Sequence, residues 1–258
     1  MMTARAANLM RALALPVSAL LIAEIWAQVT HMQSYTLAPP SQIVIAGMRA
    51  IADGSMLKAT TETLVSVLLG FAIGGFVGVL AGVILGLQGW LDRLFELPVE
   101  FIRAMPSIAL LPVWMIIYGL GFKMEVAVIA FTTVWPNLVM ARSAVRGITP
   151  RLNEVAKVLG LTQLQQIWKV TLPAALPGIF VTLRVTLGFS LVVGVTIEIV
   201  GNPQGLGAAI MLAREAMDPA LMLATLVWIG LLGYLLNLAM TTAQKKLFQR
   251  FVVEGEQL

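Results

Sequence analysis

The segment NEVAKVLGLTQLQQIWKVTLPAALPG, residues 153–178, stands out in a chain built mostly of apolar runs. It carries lysines and glutamines and keeps a helical rhythm. Thr149-Pro150 just before it reads as an N-cap followed by proline at the first helical position. Leu152, Val155, Ala156 and Leu159 recur at helical spacing, with Arg151, Glu154 and Lys157 between them. Gly160 is expected to stop this short helix, as glycine does at a C-terminal cap. Thr162 and Gln165 form a capping-box pattern for a second helix, with Leu164, Ile167 and Trp168 on its apolar face. Leu172-Pro173 is expected to end the unit. Two short amphipathic helices around a glycine elbow either lie in the lipid interface or dock another protein. Amphipathicity alone leaves both readings open.

The surrounding composition decides the environment. The chain has 258 residues, of which 59% are hydrophobic and 12% charged. Its mean hydropathy is +0.91. Soluble domains are about 45–50% apolar and about 25% charged. One core of this size cannot bury the excess, so lipid must cover it, and the expected class is an all-α integral membrane protein. Cysteine is absent, which excludes disulfides and thiolate metal sites. The single histidine, His31, leaves little imidazole chemistry. The net charge of +4 fits membrane topology better than nucleic acid, and no nucleic-acid partner is expected.

A helix needs about 20 apolar residues to cross the hydrocarbon core. Six candidate spans follow, at 12–30, 62–88, 98–118, 124–142, 175–200 and 219–243. The first has signal-peptide features, with Arg5 and Arg11 before an apolar run. It is long and has no clear cleavage site, so it reads as a retained span. The fourth is short and ends in Trp135-Pro136-Asn137. Two domains are expected: an N-terminal span and outer segment at 1–58, then a five-span core at 59–258.

Flanking Lys and Arg set the orientation. With the N-terminus inside, eleven of the 17 basic residues lie in inner segments and four in outer ones. Arg103 and Arg184 fall within spans. Both termini and the polar 143–174 loop are therefore expected in the cytoplasm.

The second span places Gly70, Gly74, Gly78, Gly82 and Gly86 on one helical face. Small residues let backbones approach closely where lipid supplies no hydrophobic drive between helices. The face is either a static packing seam or one that pivots during transport.

The spacing of Glu154, Ala156, Gly160, Val170, Leu172 and Pro173 resembles the EAA motif of ABC importer permeases. That pattern is Glu-Ala-Ala, three residues, Gly, nine residues, Ile, one residue, Leu-Pro. Every interval is kept. Val155 replaces the second alanine and Val170 the isoleucine. GFAIGGFVGVLAGVILGL, EFIRAMPSIALLPVWMIIYGLG and GNPQGLGAAIMLAREAMD are similar to the nitrate, sulfonate, taurine and bicarbonate branch of this family. The resemblance implies a MetI-like permease fold with a cytoplasmic coupling helix, in a bacterial inner membrane. It also implies a second permease copy, two cytoplasmic ATPase subunits and a solute-binding protein. Gly160 then serves a backbone conformation or a close approach, and Glu154 either contacts the ATPase or caps the local backbone.

The chain has no Gly-x-x-x-x-Gly-Lys-Ser/Thr loop, so ATP and Mg are expected in the partner ATPase. No catalytic residue and no metal ligand set is identified. Ionisable residues within spans are functional candidates. Arg103 and Arg184 either line an anion path, or pair locally with Glu100 and snorkel, respectively. Glu198 either forms part of an outer gate or faces water at the rim. Glu24 is expected to be structural. The 201–219 loop is either a short re-entrant helix or a plain connection. Two rival classes remain: an ion-gradient transporter, which calls for paired intramembrane acids, and a non-transporting scaffold subunit. No such acidic pair is visible in the sequence.

Overall fold

The computed structural model describes residues 2–30, 37–148, 156 and 158–252. His31, Thr149-Pro150, Arg151, Leu152, Glu154, Val155 and Lys157 lie outside them. No strand occurs among the described residues. The helices are α1 (Met2–Val29), α2 (Pro40–Ala52), α3 (Ser55–Leu87), α4 (Gly89–Ala104), α5 (Leu111–Tyr118) and α6 (Phe122–Arg146). They continue with α7 (Gln163–Gly201), α8 (Gly205–Glu215) and α9 (Pro219–Val252).

Four helices, α3, α6, α7 and α9, are long and apolar enough to cross a membrane. The third expected span is not one straight helix. It is α4 followed by a 3₁₀ turn and α5, bent by 80°. Pro106 causes the break: it lacks an N–H and pushes the residue before it out of the helical region. Met105 accordingly sits at φ −72°, ψ 128°. The pair carries the chain from the end of α3 back to the start of α6. The first expected span contains only a shorter apolar helical stretch, Val17–Val29. The described residues therefore supply four spans, or five with the bent pair, against the six expected. Glu24 within α1 accepts from the Ser41 backbone N–H (2.9 Å) and Oγ (2.7 Å), which caps α2 from a distant helix.

Two proline boundaries also change. Pro136 does not end the fourth span; α6 runs ten residues past it to Arg146. Pro173 does not end the polar unit either. The second amphipathic helix continues without a break into the span, and both belong to α7. A π-turn at Ile167–Thr171 precedes Pro173. The wider turn redistributes the carbonyls that a proline would leave without a donor.

Helices α3 and α6 form the main seam and run parallel, since successive glycines from Gly70 to Gly86 meet successive α6 residues from Ile129 to Val145. A Cβ on Gly70 would lie 2.7 Å from the Ile129 Cβ, and one on Gly86 would lie 2.8 Å from the Val145 Cβ. Cβ atoms on Gly74, Gly78 and Gly82 would meet the carbonyl oxygens of Ala130, Val134 and Leu138. The expected glycine face is thus placed against α6 along its whole length. The opposite face of α3, with Leu69, Ile73, Phe76 and Leu80, is exposed and apolar. Behind the seam, the Thr186 hydroxyl of α7 donates to the buried Asn137 Oδ1 of α6 at 3.1 Å.

Candidate functional site

At one end of the bundle lies the elbow. Ala156 is 1% exposed. The Leu161 N–H donates to the Ala156 carbonyl at 3.1 Å, a Schellman closure. Gly160 has φ +64°. Among the described residues, no atom lies within 4 Å of a Cβ built there. The left-handed backbone conformation expected of this glycine is present. Thr162 and Gln165 then complete a capping box, with the Gln165 N–H to Thr162 Oγ1 at 3.4 Å and the Thr162 N–H to Gln165 Oε1 at 3.1 Å. Val158, Leu159, Leu164 and Trp168 project around the elbow, at least 66% exposed. Val170, Leu172 and Pro173 are half-buried on α7.

The geometry makes a specific demand. Asparagine tolerates the left-handed region far better than a β-branched residue, for which it costs about 1–2 kcal/mol. Gly160→Asn is expected to keep the elbow and Gly160→Val to lose it. Protease cleavage within residues 156–162, measured in the full chain, distinguishes them. Equal resistance of both variants would defeat the conformational account.

At the opposite end, four helices meet in a buried polar cluster. The first N–H groups of α8 are capped by other helices. Gly205 donates to Glu62 Oε2 of α3 at 3.0 Å, Leu206 to Thr63 Oγ1 of α3 at 2.8 Å, and Gly207 to Glu198 Oε2 of α7 at 2.7 Å. Glu125 of α6 accepts from the Ser66 hydroxyl of α3 and from Asn202 Nδ2 at 2.6 Å. Glu125 and Glu198 are 1% and 2% exposed, and their carboxyl groups are neighbours. Glu198 therefore does not face water at a rim. The acidic pair not visible in the sequence exists, although it sits at the span ends. The 201–219 loop is no plain connection: α8 buries Leu206 and Ile210 against α3, α7 and α9.

Glu125 carries no signal in the sequence, because it stands two residues after Lys123 at a span edge, where an acidic residue reads as interfacial. Its partners are 59 and 77 residues away. Among the expected path residues, Arg103 pairs with Glu100 at 2.9 Å. Arg184 is half-buried and donates to Thr241 Oγ1 of α9 at 3.4 Å. The structure does not bring Arg103, Arg184 and Glu198 into one cluster. No group of three or more His, Cys, Asp or Glu among the described residues is arranged to hold a metal.

A glycine-packed bundle with a broken span and a capped elbow between two spans defines a polytopic helical membrane protein. The chain belongs to the family of binding-protein-dependent transport system inner membrane components, whose model matches residues 74–253. It is 26% identical over 240 residues to the putative aliphatic sulfonates transport permease SsuC of Bacillus subtilis, covering 93% of this chain and 87% of that one. It is 31% identical over 186 residues to the bicarbonate transport permease CmpB of Synechococcus elongatus, covering 72% and 67%. Among solved structures, a chain of the inward-facing MetNI methionine ABC transporter superposes with a TM-score of 0.63 at 25% identity, covering 72% of this chain and 92% of that one.

Proposed function

We propose that this chain is the transmembrane subunit of an ATP-driven importer for a small anionic solute of the sulfonate, taurine, nitrate or bicarbonate type. Two copies form the path, and two cytoplasmic ATPase subunits bind ATP and Mg. A solute-binding protein delivers the solute on the other side. The elbow and both termini face the cytoplasm, in line with the excess of Lys and Arg in those segments. The ATPase-coupling residues are Glu154, Ala156, Gly160, Val170, Leu172 and Pro173.

The observation that carries this reading is the elbow itself. Its backbone is closed by a Schellman bond and a capping box. Exposed Val158, Leu159 and Leu164 surround it. A rigid apolar projection transmits a push that a loose loop would absorb, and a groove on a partner would cover it. Glu198 and its neighbours hold α8 at the far end as part of the outer gate. Arg184 supplies positive charge along the route, where an anion compensates the cost of an intramembrane guanidinium, whereas the charge of Arg103 is met by Glu100.

The test uses the chain reconstituted with its ATPase in lipid vesicles. The binding protein is added loaded in turn with an alkanesulfonate, taurine, nitrate or bicarbonate. One loaded form is expected to stimulate ATP hydrolysis and drive solute accumulation. Gly160→Trp is expected to leave hydrolysis running and to stop accumulation. Normal accumulation by that variant would sink the coupling role of the elbow. An intact complex stimulated by none of the loaded forms would sink the proposed solute class.

A further inference from the structure

Asp92 lies in the first turn of α4 and is 2% exposed. Its Oδ1 is 2.7 Å from Arg142 Nε, and its Oδ2 is 2.7 Å from Arg146 Nη1. The two arginines are one turn apart at the end of α6 that leads into the elbow segment. Arg142 also reaches towards Glu96 of α4 at 3.8 Å. One buried carboxylate thus pairs with two guanidinium groups, one on each oxygen, and the contact at Oδ1 is an ion pair without hydrogen-bond geometry. Breaking a buried ion pair by removing one partner is costly, because it leaves a buried charge uncompensated.

The attachment of α4 gives this clamp its weight. Only Asp92 and Val99 of α4 are buried. Val99 packs with Leu85 and Leu138, an apolar contact that permits sliding. Asp92 fixes position and direction. Beyond α4 comes the 80° bend into α5. A displacement of the α6 end therefore reaches the bent span through Asp92.

We propose that Asp92 is a positioning residue that joins the elbow end of α6 to α4, so that movement of the elbow swings α4 and the bend at Met105–Pro106 with it. The inference rests on the coupling role proposed above for the elbow. It predicts that α4 and the elbow move as one body while the far end moves relative to them.

Two measurements test it in the full chain assembled with its ATPase and loaded binding protein. First, ATP hydrolysis and solute accumulation are recorded together for Asp92→Asn. Asparagine keeps the size of the side chain and removes its charge. Solute moved per ATP is expected to fall by about tenfold or more, with hydrolysis still stimulated. An unchanged ratio in an intact complex would overturn the proposal. Second, spin labels are placed at Leu97→Cys and Gln163→Cys with Asp92 intact. Both sites are exposed and lie outside the apolar docking residues, and the chain has no cysteine of its own. Their separation is expected to stay within about 2 Å between nucleotide-free and ATP-bound states, while either label moves further relative to one at Leu212→Cys. A larger change between positions 97 and 163 would overturn the proposal even if Asp92→Asn fails to assemble. An unmutated complex that hydrolyses ATP and accumulates no solute would instead refute the importer reading. The label distances would still decide the clamp.

Discussion

Gly78→Leu is expected to abolish the folded bundle. A Cβ at residue 78 would sit on the Val134 carbonyl oxygen and 2.8 Å from the Asn137 Cβ. Neither atom is the free end of a flexible side chain. The helices would have to separate, and close packing is the main force holding membrane helices together. Overpacking costs about 1–3 kcal/mol where side chains can adjust, and more where backbone blocks them. Separation would also pull Asn137 away from Thr186, with which it shares a buried hydrogen bond. The control is Gly230→Leu in α9, where no atom of the described residues lies within 4 Å of the added Cβ. Size-exclusion profiles in detergent after a temperature series would compare them. The Gly78 variant is expected to aggregate at every temperature and the Gly230 variant to match the parent. Matching profiles for both would remove the seam as the determinant of folding.

Glu198→Ala is expected to release α8. The carboxylate accepts the Gly207 N–H, and it packs directly against Gly205. Alanine leaves that N–H buried without a partner, at a cost of about 1–3 kcal/mol. The cavity left by the missing side chain adds about 1–2 kcal/mol more. Glu62 and Thr63 still hold Gly205 and Leu206, so the effect is local opening rather than global unfolding. Hydrogen exchange at the 205–215 amides is expected to accelerate by tenfold or more, in line with about 1.4 kcal/mol per decade. Transport should fall with it. Glu198→Gln keeps an oxygen for the Gly207 N–H and is expected to retain most protection. Wild-type protection in the alanine variant would show that α8 is held by its apolar face alone.

The single sequence was informative wherever the determining forces are local. Helical spacing placed five glycines on one face, and hydropathy located α3, α6, α7 and α9. Gly160 and the Thr162–Gln165 capping box were also legible, because a left-handed turn and an N-cap are decided within a few residues. The local rule misled at proline. Pro106 does break its helix, yet a hydropathy window reads through the break. Pro136 and Pro173 look like the same signal, and both lie in continuing helices. In a packed membrane bundle, neighbouring helices and π-turns hold such segments helical.

The amphipathic elbow, the apolar spans and the glycine stripe were therefore determined by the sequence itself. Which helix meets the glycine stripe, and which carboxylates are buried, was decided only by the tertiary structure. Asp92 takes up two arginines about fifty residues away. Glu125 and Glu198 lie on separate helices and share a cluster with Ser66, Asn202 and the start of α8. The reason is physical: hydropathy and capping act within a few residues, whereas a buried charge depends on whichever distant donors the packed helices bring to it.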